Sequence, residues 1–260
     1  MVNLNEALEV AVNAAKLAGE RIKEGQTEDY SIEVKGDIAD RVTQIDLDAQ
    51  KIIRDSISAK FSDHDFMEEE ADAKQEQTSK YRWIIDPLDG TSNFIQGFPH
   101  VGVSIALEFQ GEPVLGVLYF PFFDDLYTGI KGEGAFLNGK EIHVRPCDDM
   151  KKAFISEIYS DRIHRGKPTH YPPSLAYRKY GSAVTSLAYL ADGRLQGMSL
   201  ICNRWDMAAA EVIIKEAGGK ITFELHDPEN ERGPGTCIAS SPGIYDELKK
   251  IVEAEYSKNS

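Results

Sequence analysis

Asp86 and Asp89 stand three residues apart around Pro87, and a Gly90-Thr91 pair follows them in the run Trp83-Ile84-Ile85-Asp86-Pro87-Leu88-Asp89-Gly90-Thr91-Ser92-Asn93-Phe94. Carboxylate oxygens are hard donors suited to magnesium, and main-chain amides left open at the start of a turn or helix suit an anion. Together they fit a metal-bound phosphate. Ile84 and Ile85 favour a buried strand, and Pro87 biases Asp86 towards extended φ/ψ, so helix is not expected until after Asp89. The two carboxylates therefore belong at a strand's end. Gly90 has no Cβ and lets a ligand approach the main chain. Asp-Pro and Asp-Gly pairs alone are ordinary turn formers; two acids, a proline, a glycine and a hydroxyl in that order after an apolar strand point to chemistry.

This run resembles the inositol monophosphatase family, magnesium-dependent and lithium-sensitive phosphatases that carry Asp-Pro-Ile-Asp-Gly-Thr and then Asn-Phe. Leu88 takes the place of the isoleucine. The stretch Trp205-Asp206-Met207-Ala208-Ala209-Ala210-Glu211, followed by Glu216-Ala217-Gly218-Gly219, resembles the family's second signature, with Ala210 where glycine is usual. Phe66-Met67-Glu68-Glu69-Glu70 lies upstream of the strand as the family's paired glutamates do, and Lys35 with Asp46 fits its pattern of a lysine, then Val-Thr, then an aspartate. The resemblance implies an α/β (α+β) fold, a layered α-β-α-β-α sandwich of the inositol monophosphatase / fructose-1,6-bisphosphatase type, with residues 1–260 forming one domain.

It also implies two or three magnesium ions per site. Glu69, Asp86 and the Leu88 carbonyl would hold the first, Asp86, Asp89 and Asp206 the second, and a third, weaker ion would share Glu69. Aligning Phe66 assigns the ligand position to Glu69 and the outer one to Glu70, and leaves Glu68 where the family has glycine. A solvated acidic loop is the commoner role for any one of these glutamates. Thr91 and Glu69, supported by Asp46, would orient and deprotonate the attacking water, and Lys35 would lie near the metal-bound waters. Read alone, Thr91 is equally a helix cap, Asp206 an acid favoured at a helix start, and Lys35 a surface lysine. Amides of Gly90 and Thr91 would bind the phosphate, and substrate hydroxyls would meet Asp89 and the Gly181-Ser182-Ala183 loop, through Ala183 in particular. Inositol-preferring members carry a glutamate seven residues before the Trp-Asp aspartate; here that position is Ser199, a shorter and neutral group.

Those residues need elements to carry them. Ala7, Leu8, Ala11, Val12, Ala15 and Ala18 recur at helical spacing and predict an amphipathic helix over 5–24, capped by Asn5. A second helix over 46–58 would turn Leu47, Ile52, Ile53 and Ile57 inward, with the flanking 34–43 pairing as strands. Segments 101–109, 113–120 and 126–130 read as neighbouring strands, and Asn138-Gly139 as a hairpin turn. Residues 156–175, with His164, Arg165 and Lys167, lack periodicity and read as an irregular connection that could border a substrate, although cationic residues of this kind are more often a solvated loop than a ligand grip. A helix over 182–191, a strand over 195–201, a helix over 206–217 stopped by Gly218-Gly219, strands over 220–225 and 236–240, and a terminal helix from Ser241-Pro242 complete the pattern.

The formal charge of −14 argues against a nucleic-acid partner and poses a difficulty for binding phosphate esters, which divalent cations in a carboxylate-lined pocket remove. No apolar run approaches the length of a membrane span, and the start lacks signal-peptide regions, so a cytoplasmic location is expected. Cys147, Cys202 and Cys237 follow no CxxC spacing and read as buried, inert thiols. The expected activity is Mg-dependent hydrolysis of inositol monophosphate or a similar small sugar or polyol phosphate, by a homodimer as in the family. Fructose-1,6-bisphosphatase, nucleotide 3′-phosphatase or histidinol-phosphatase activity is the alternative. A non-catalytic regulatory protein would have no reason to keep the whole acidic set.

Overall fold

The computed structural model describes residues 2–34, 41–71, 77–156 and 173–259. The first helix, α1 (Leu4–Gly25), begins one residue before the expected span, because Asn3 rather than Asn5 is the cap and accepts from the amides of Asn5 and Glu6. Its alanine stripe is buried and lets α2 (Gln44–Ser58) pack closely beside it. Thr43 and Asp46 form a reciprocal capping box at the start of α2. Ile45, Ala49, Ile53 and Ile57 make the inward stripe of that helix, whereas Leu47 is 41 % exposed. The expectation for Leu47 fails because it lies two residues off an i, i+4 stripe that starts at Ile45, on the far face. Between the helices, β1 (Ile32–Val34) and β2 (Arg41–Thr43) pair antiparallel.

A seven-stranded sheet follows, with spatial order equal to chain order: β3 (Asp65–Glu68), β4 (Tyr81–Asp89), β5 (Gly102–Phe109), β6 (Glu112–Phe120), β7 (Asp125–Ile130), β8 (Gly134–Leu137) and β9 (Lys140–Glu141). Only β3–β4 is parallel among its pairings. The β8–β9 turn is Asn138-Gly139, both at positive φ, as a tight hairpin requires. Short α3 (Thr91–Gln96) leaves the end of β4. The second sheet has five strands in the order β11-β10-β12-β14-β13, formed by β10 (Phe154–Ser156), β11 (Ala176–Arg178), β12 (Gly197–Cys202), β13 (Lys220–Leu225) and β14 (Gly235–Ser240). The remaining helices are α4 (Ala183–Ala191), α5 (Arg204–Glu216) and α6 (Tyr245–Asn259).

Alternation along the strands sorts the side chains into layers. Trp83, Ile85, Val103, Ile105 and Val117 face α1 and α2 in one core. Ile84, Ala106, Leu118 and Tyr127 face the opposite way, into a core shared with α4, α5 and the Met198, Leu200, Cys237 and Ala239 face of the second sheet. Ile155 and Ile238, on that sheet's outer face, pack against Leu248 and Val252 of α6. The order is α-β-α-β-α, and strands buried on both faces read as continuous apolar runs. Helix α5 sits directly on β6: a Cβ at Gly116 would lie 2.2 Å from the Ala209 carbonyl oxygen. Ala210 is fully buried in this contact layer, so its methyl is accommodated where the resemblance anticipated glycine. Cys202 and Cys237 are buried neighbours on the two paired strands, and burial followed by the adjacent thiol pushes Cys202 well up, away from thiolate. Among the described residues no helix is long and apolar enough to cross a membrane. Lys35 and residues 157–172, including His164, Arg165 and Lys167, lie outside the described residues.

Candidate active site

A regular strand would send Asp86 and Asp89 to opposite faces, since residues three apart differ in parity. Pairing of β4 with β5 runs through Asp86↔Ser104 and next through Asp89↔Gly102, so three steps on β4 oppose two on β5. That is a bulge, located at Pro87-Leu88, where proline has no amide for the ladder. Asp86 Oδ1 accepts from the Leu88 amide at 3.0 Å, stabilising the turn. The extra residue reverses the parity and brings both carboxylates to one side.

Asp206 reaches the same place from α5. The helix starts at Arg204, two residues earlier than expected, so Asp206 is the third helical residue rather than the first. Its Oδ2 accepts from the Asn203 amide at 2.7 Å in a capping box. One carboxylate oxygen each from Asp86, Asp89 and Asp206 lie within 4.8 Å of one another. Glu69, one residue past β3, adds a fourth carboxylate in hydrogen-bond contact with Asp86. The three consecutive glutamates do not share a solvated loop. Glu68 is only 2 % exposed, and Arg54 of α2 grips it in a bidentate pair while lying 4.6 Å over the Phe66 ring. Glu68 is thereby committed to α2, and Glu69 is the glutamate the geometry brings to Asp86.

Asp89 faces the start of α4. It accepts from the Ser182 hydroxyl, from the Ala183 amide at 3.3 Å and from the Val184 amide at 3.0 Å. The approach loop is held by Asn93, whose Nδ2 donates to the carbonyls of His100 (2.7 Å) and Tyr180 (2.8 Å). Gly181 takes φ +69°, and a Cβ there would lie 2.7 Å from Asn93 Oδ1. Gly181 and Ala183 thus border Asp89. Gly90 is the left-handed cap of α3, and a Cβ there would meet the His100 carbonyl at 2.8 Å. Thr91 Oγ1 lies 3.0 Å from Asp46 Oδ1 and 3.2 Å from the Leu88 carbonyl. Asp46 is 1 % exposed, and its other oxygen accepts from the Thr43 amide at 2.9 Å.

The electrostatics follow from crowding. Burial, then the negative charges of Glu69, Asp89 and Asp206, push the Asp86 carboxyl well above the ordinary range. Burial and Asp206 push Asp89 up to about 7 against the hydrogen bonds from Ser182, Val184 and Ala183. Burial also raises Asp46, opposed by Thr43 and Thr91. A set of oxygen donors this close repels itself unless protonated or neutralised, and oxygen-only donors match a hard divalent cation. The residues present fit such an ion.

Ser199 does not join this group. It lies mid-strand in β12 opposite Ile238, at 1 % exposure, and its Oγ has no hydrogen-bond partner among the described residues. Directly paired residues share a face, and Ile238 packs with α6, so Ser199 points away from α5 and its aspartate. Asn93 and Arg54 are the contributors that motif reading does not single out; Asn93 stands inside the quoted run, but its partners are far away in sequence, and Ser182, expected only as part of the Gly181-Ser182-Ala183 loop, also donates to Asp89.

Comparison with known proteins identifies the family of the chain. The profile described as the inositol monophosphatase family matches residues 3–254. An Aquifex aeolicus protein named fructose-1,6-bisphosphatase/inositol-1-monophosphatase is 36 % identical, covering 97 % of each chain. Inositol monophosphatase 3 of Solanum lycopersicum is 40 % identical, over 84 % of this chain and 85 % of its own. The crystal structure of the extragenic suppressor protein suhB from Bartonella henselae superposes with a TM-score of 0.82 at 32 % identity, covering 95 % of this chain and 98 % of that one. The chain belongs to the inositol monophosphatase family, metal-dependent phosphatases that hydrolyse phosphate monoesters.

Proposed function

We propose that this protein is a Mg²⁺-dependent phosphomonoesterase acting on inositol monophosphate or a similar small polyol or sugar phosphate. The observation that carries the reading is the convergence of Asp86, Asp89 and Asp206 within 4.8 Å, with Glu69 against Asp86. A phosphate monoester dianion repels hydroxide, so its oxygens need neutralising and a nucleophile has to be available at neutral pH. Magnesium supplies both when bound, by offsetting the phosphate charge and lowering the pKa of water. By the family resemblance, Glu69, Asp86 and the Leu88 carbonyl would hold one ion, Asp86, Asp89 and Asp206 a second, and Glu69 would contribute to a weaker third.

The remaining residues position and deprotonate. The Thr91 hydroxyl donates a hydrogen bond to Asp46, which leaves its oxygen lone pairs to accept from the attacking water together with Glu69. The amides of Gly90 and Thr91 face the phosphate; preorganised donors of this kind are worth roughly 3 kcal/mol each. Asp89 and the Gly181–Ala183 turn meet the alcohol portion, and Lys35 completes the set by resemblance. Lithium inhibition, a homodimer and a cytoplasmic location belong to the same reading, and the charge of −14 disfavours a nucleic-acid partner.

A second substrate reading has a specific observation behind it. Ser199 supplies no carboxylate for an inositol ring, and the Aquifex relative's name joins fructose-1,6-bisphosphatase to inositol-1-monophosphatase. Phosphate release measured across inositol 1-phosphate, fructose 1,6-bisphosphate, adenosine 3′,5′-bisphosphate and histidinol phosphate, with and without Mg²⁺, tests both. Activity on any of them only with Mg²⁺ supports the chemistry, and the preferred compound names the substrate. No release from the whole panel overturns the reading.

A further inference from the structure

Glu69 stands just beyond the edge strand of its sheet, with β4 on one side and, among the described residues, no strand on the other. Four acidic groups crowd at this place, and like charges repel one another unless they are neutralised. The loop is held through its backbone groups. The Glu69 amide donates to the Ile85 carbonyl at 3.1 Å, and the Glu70 amide to Gln50 Oε1 at 3.0 Å. Three carbonyls converge on one donor: Arg232 Nη2 lies 2.9 Å from the oxygen of Glu68, 3.2 Å from that of Ala71 and 3.5 Å from that of Glu69.

Arg232 comes from the opposite sheet, in the connection between β13 and β14. Its guanidinium lies 5.1 Å over the ring of Trp205, the residue before Asp206. One planar group thus touches the Glu69 loop through its hydrogen bonds and the Asp206 helix through its face, two contacts that a guanidinium makes together. The connection is itself tethered. Glu231 accepts from Arg82 at 2.9 Å; Arg82 also donates to buried Glu108, which Arg204 of α5 reaches at 2.9 Å.

We infer that Arg232 is a positioning residue: it sets the distance between the Glu69 and Asp206 carboxylates before any cation arrives. The inference rests on the metal reading above. Residues that orient ligands from behind typically change metal affinity about 10–100-fold when lost.

The test compares the parent with Arg232→Met, Arg232→Lys and Glu69→Gln. Methionine keeps an apolar stem over Trp205 and removes the donors; lysine keeps donors without the plane. Mn²⁺ binding to the metal-free protein is titrated by calorimetry, and amide hydrogen exchange at residues 69–71 is followed without metal. Arg232→Met is expected to bind Mn²⁺ about 10-fold or more weakly and to exchange faster at 69–71, with Arg232→Lys in between. Parental Mn²⁺ affinity and parental exchange in Arg232→Met overturn the inference, whether or not its Tm falls. If Glu69→Gln binds Mn²⁺ like the parent, the ligand assignment fails instead, and exchange in Arg232→Met alone decides whether the clamp exists.

Discussion

The Asp89 carboxylate accepts a hydrogen bond from the Val184 amide at 3.0 Å, tying the end of β4 to the first turn of α4 across more than ninety residues of chain. Asp89 is thereby both a cap for α4 and one of the three converging acids. The two roles separate by substitution. Asp89→Asn keeps an oxygen that accepts from Ser182 and Val184 but loses the charge. Turnover at saturating Mg²⁺ is expected to fall by about 10²-fold or more, because charge neutralisation by bound metal contributes several kcal/mol and each 1.4 kcal/mol is tenfold. Metal-free Asp89→Asn should melt no lower than the metal-free parent. Asp89→Ala loses the cap as well and should cost about 1 kcal/mol of stability in addition. Parental turnover in folded Asp89→Asn would contradict the metal assignment.

Crowding of like charges makes the site a stability cost in the absence of cations. Asp206→Asn removes one repelling charge while its amide oxygen can still accept from the Asn203 amide. The metal-free variant is therefore expected to melt above the metal-free parent, a common pattern when a functional site is neutralised. Mg²⁺ should raise the parent's Tm, since a ligand at 100 times its Kd stabilises by about 2.7 kcal/mol, and should raise the variant's much less. Thermal melts in chelator and in Mg²⁺ check both statements; an equal Mg²⁺ gain in the two proteins speaks against Asp206 as a ligand.

Thr91 distinguishes a hydroxyl's chemistry from a helix start. Gly90, not Thr91, caps α3, so losing the hydroxyl leaves that helix's cap in place. Thr91→Ala should lower kcat by about 10²-fold or more, within the range for a positioned proton acceptor, and Thr91→Ser should restore most of it. Steady-state kinetics on the three proteins, with Tm as a control, decides the matter; equal kcat in Thr91→Ala removes the hydroxyl from the mechanism.

Acid stability reports on a different residue. His64 is stacked between Phe61 and Tyr81, with ring centroids 4.9 and 4.8 Å away, and its Nδ1 accepts from Trp83 Nε1 at 3.0 Å. Burial pushes the imidazole below its ordinary value of 6.5. The folded state therefore binds the proton less readily than the unfolded state. Its contribution is present above pH 6.5 and is lost as pH falls from 6.5 through the lowered folded value. His64→Gln should melt lower than the parent at pH 7.5, and the gap should narrow at pH 5.5. A gap independent of pH would show that His64 does not titrate in this window.

Much of this arrangement is legible in the sequence, for physical reasons that differ by residue. The strand ending at Asp89 announced itself because β4 is buried on both faces and its apolar run is continuous. Asn138-Gly139 marked its hairpin because few other pairs tolerate two positive φ values. The meeting of Asp86 with Asp89 depends on a bulge that only pairing with β5 reveals. Likewise, Glu68 differs from Glu69 only through Arg54, fourteen residues away on another element. The orientation of Ser199 is not legible in the sequence, because spacing from Asp206 carries no information on which face of β12 a side chain takes. Arg232 left no local trace, since its partners are main-chain carbonyls distant in sequence.

The central claim is that Glu69, Asp86, Asp89 and Asp206 together grip divalent cations. Anomalous diffraction from crystals soaked in Mn²⁺ tests it most directly. The account predicts at least two manganese peaks, with Asp86 oxygens ligating both and Glu69 and Asp206 on opposite sides. Fully occupied crystals with no manganese between these carboxylates, or with manganese held only by surface acids, would contradict it.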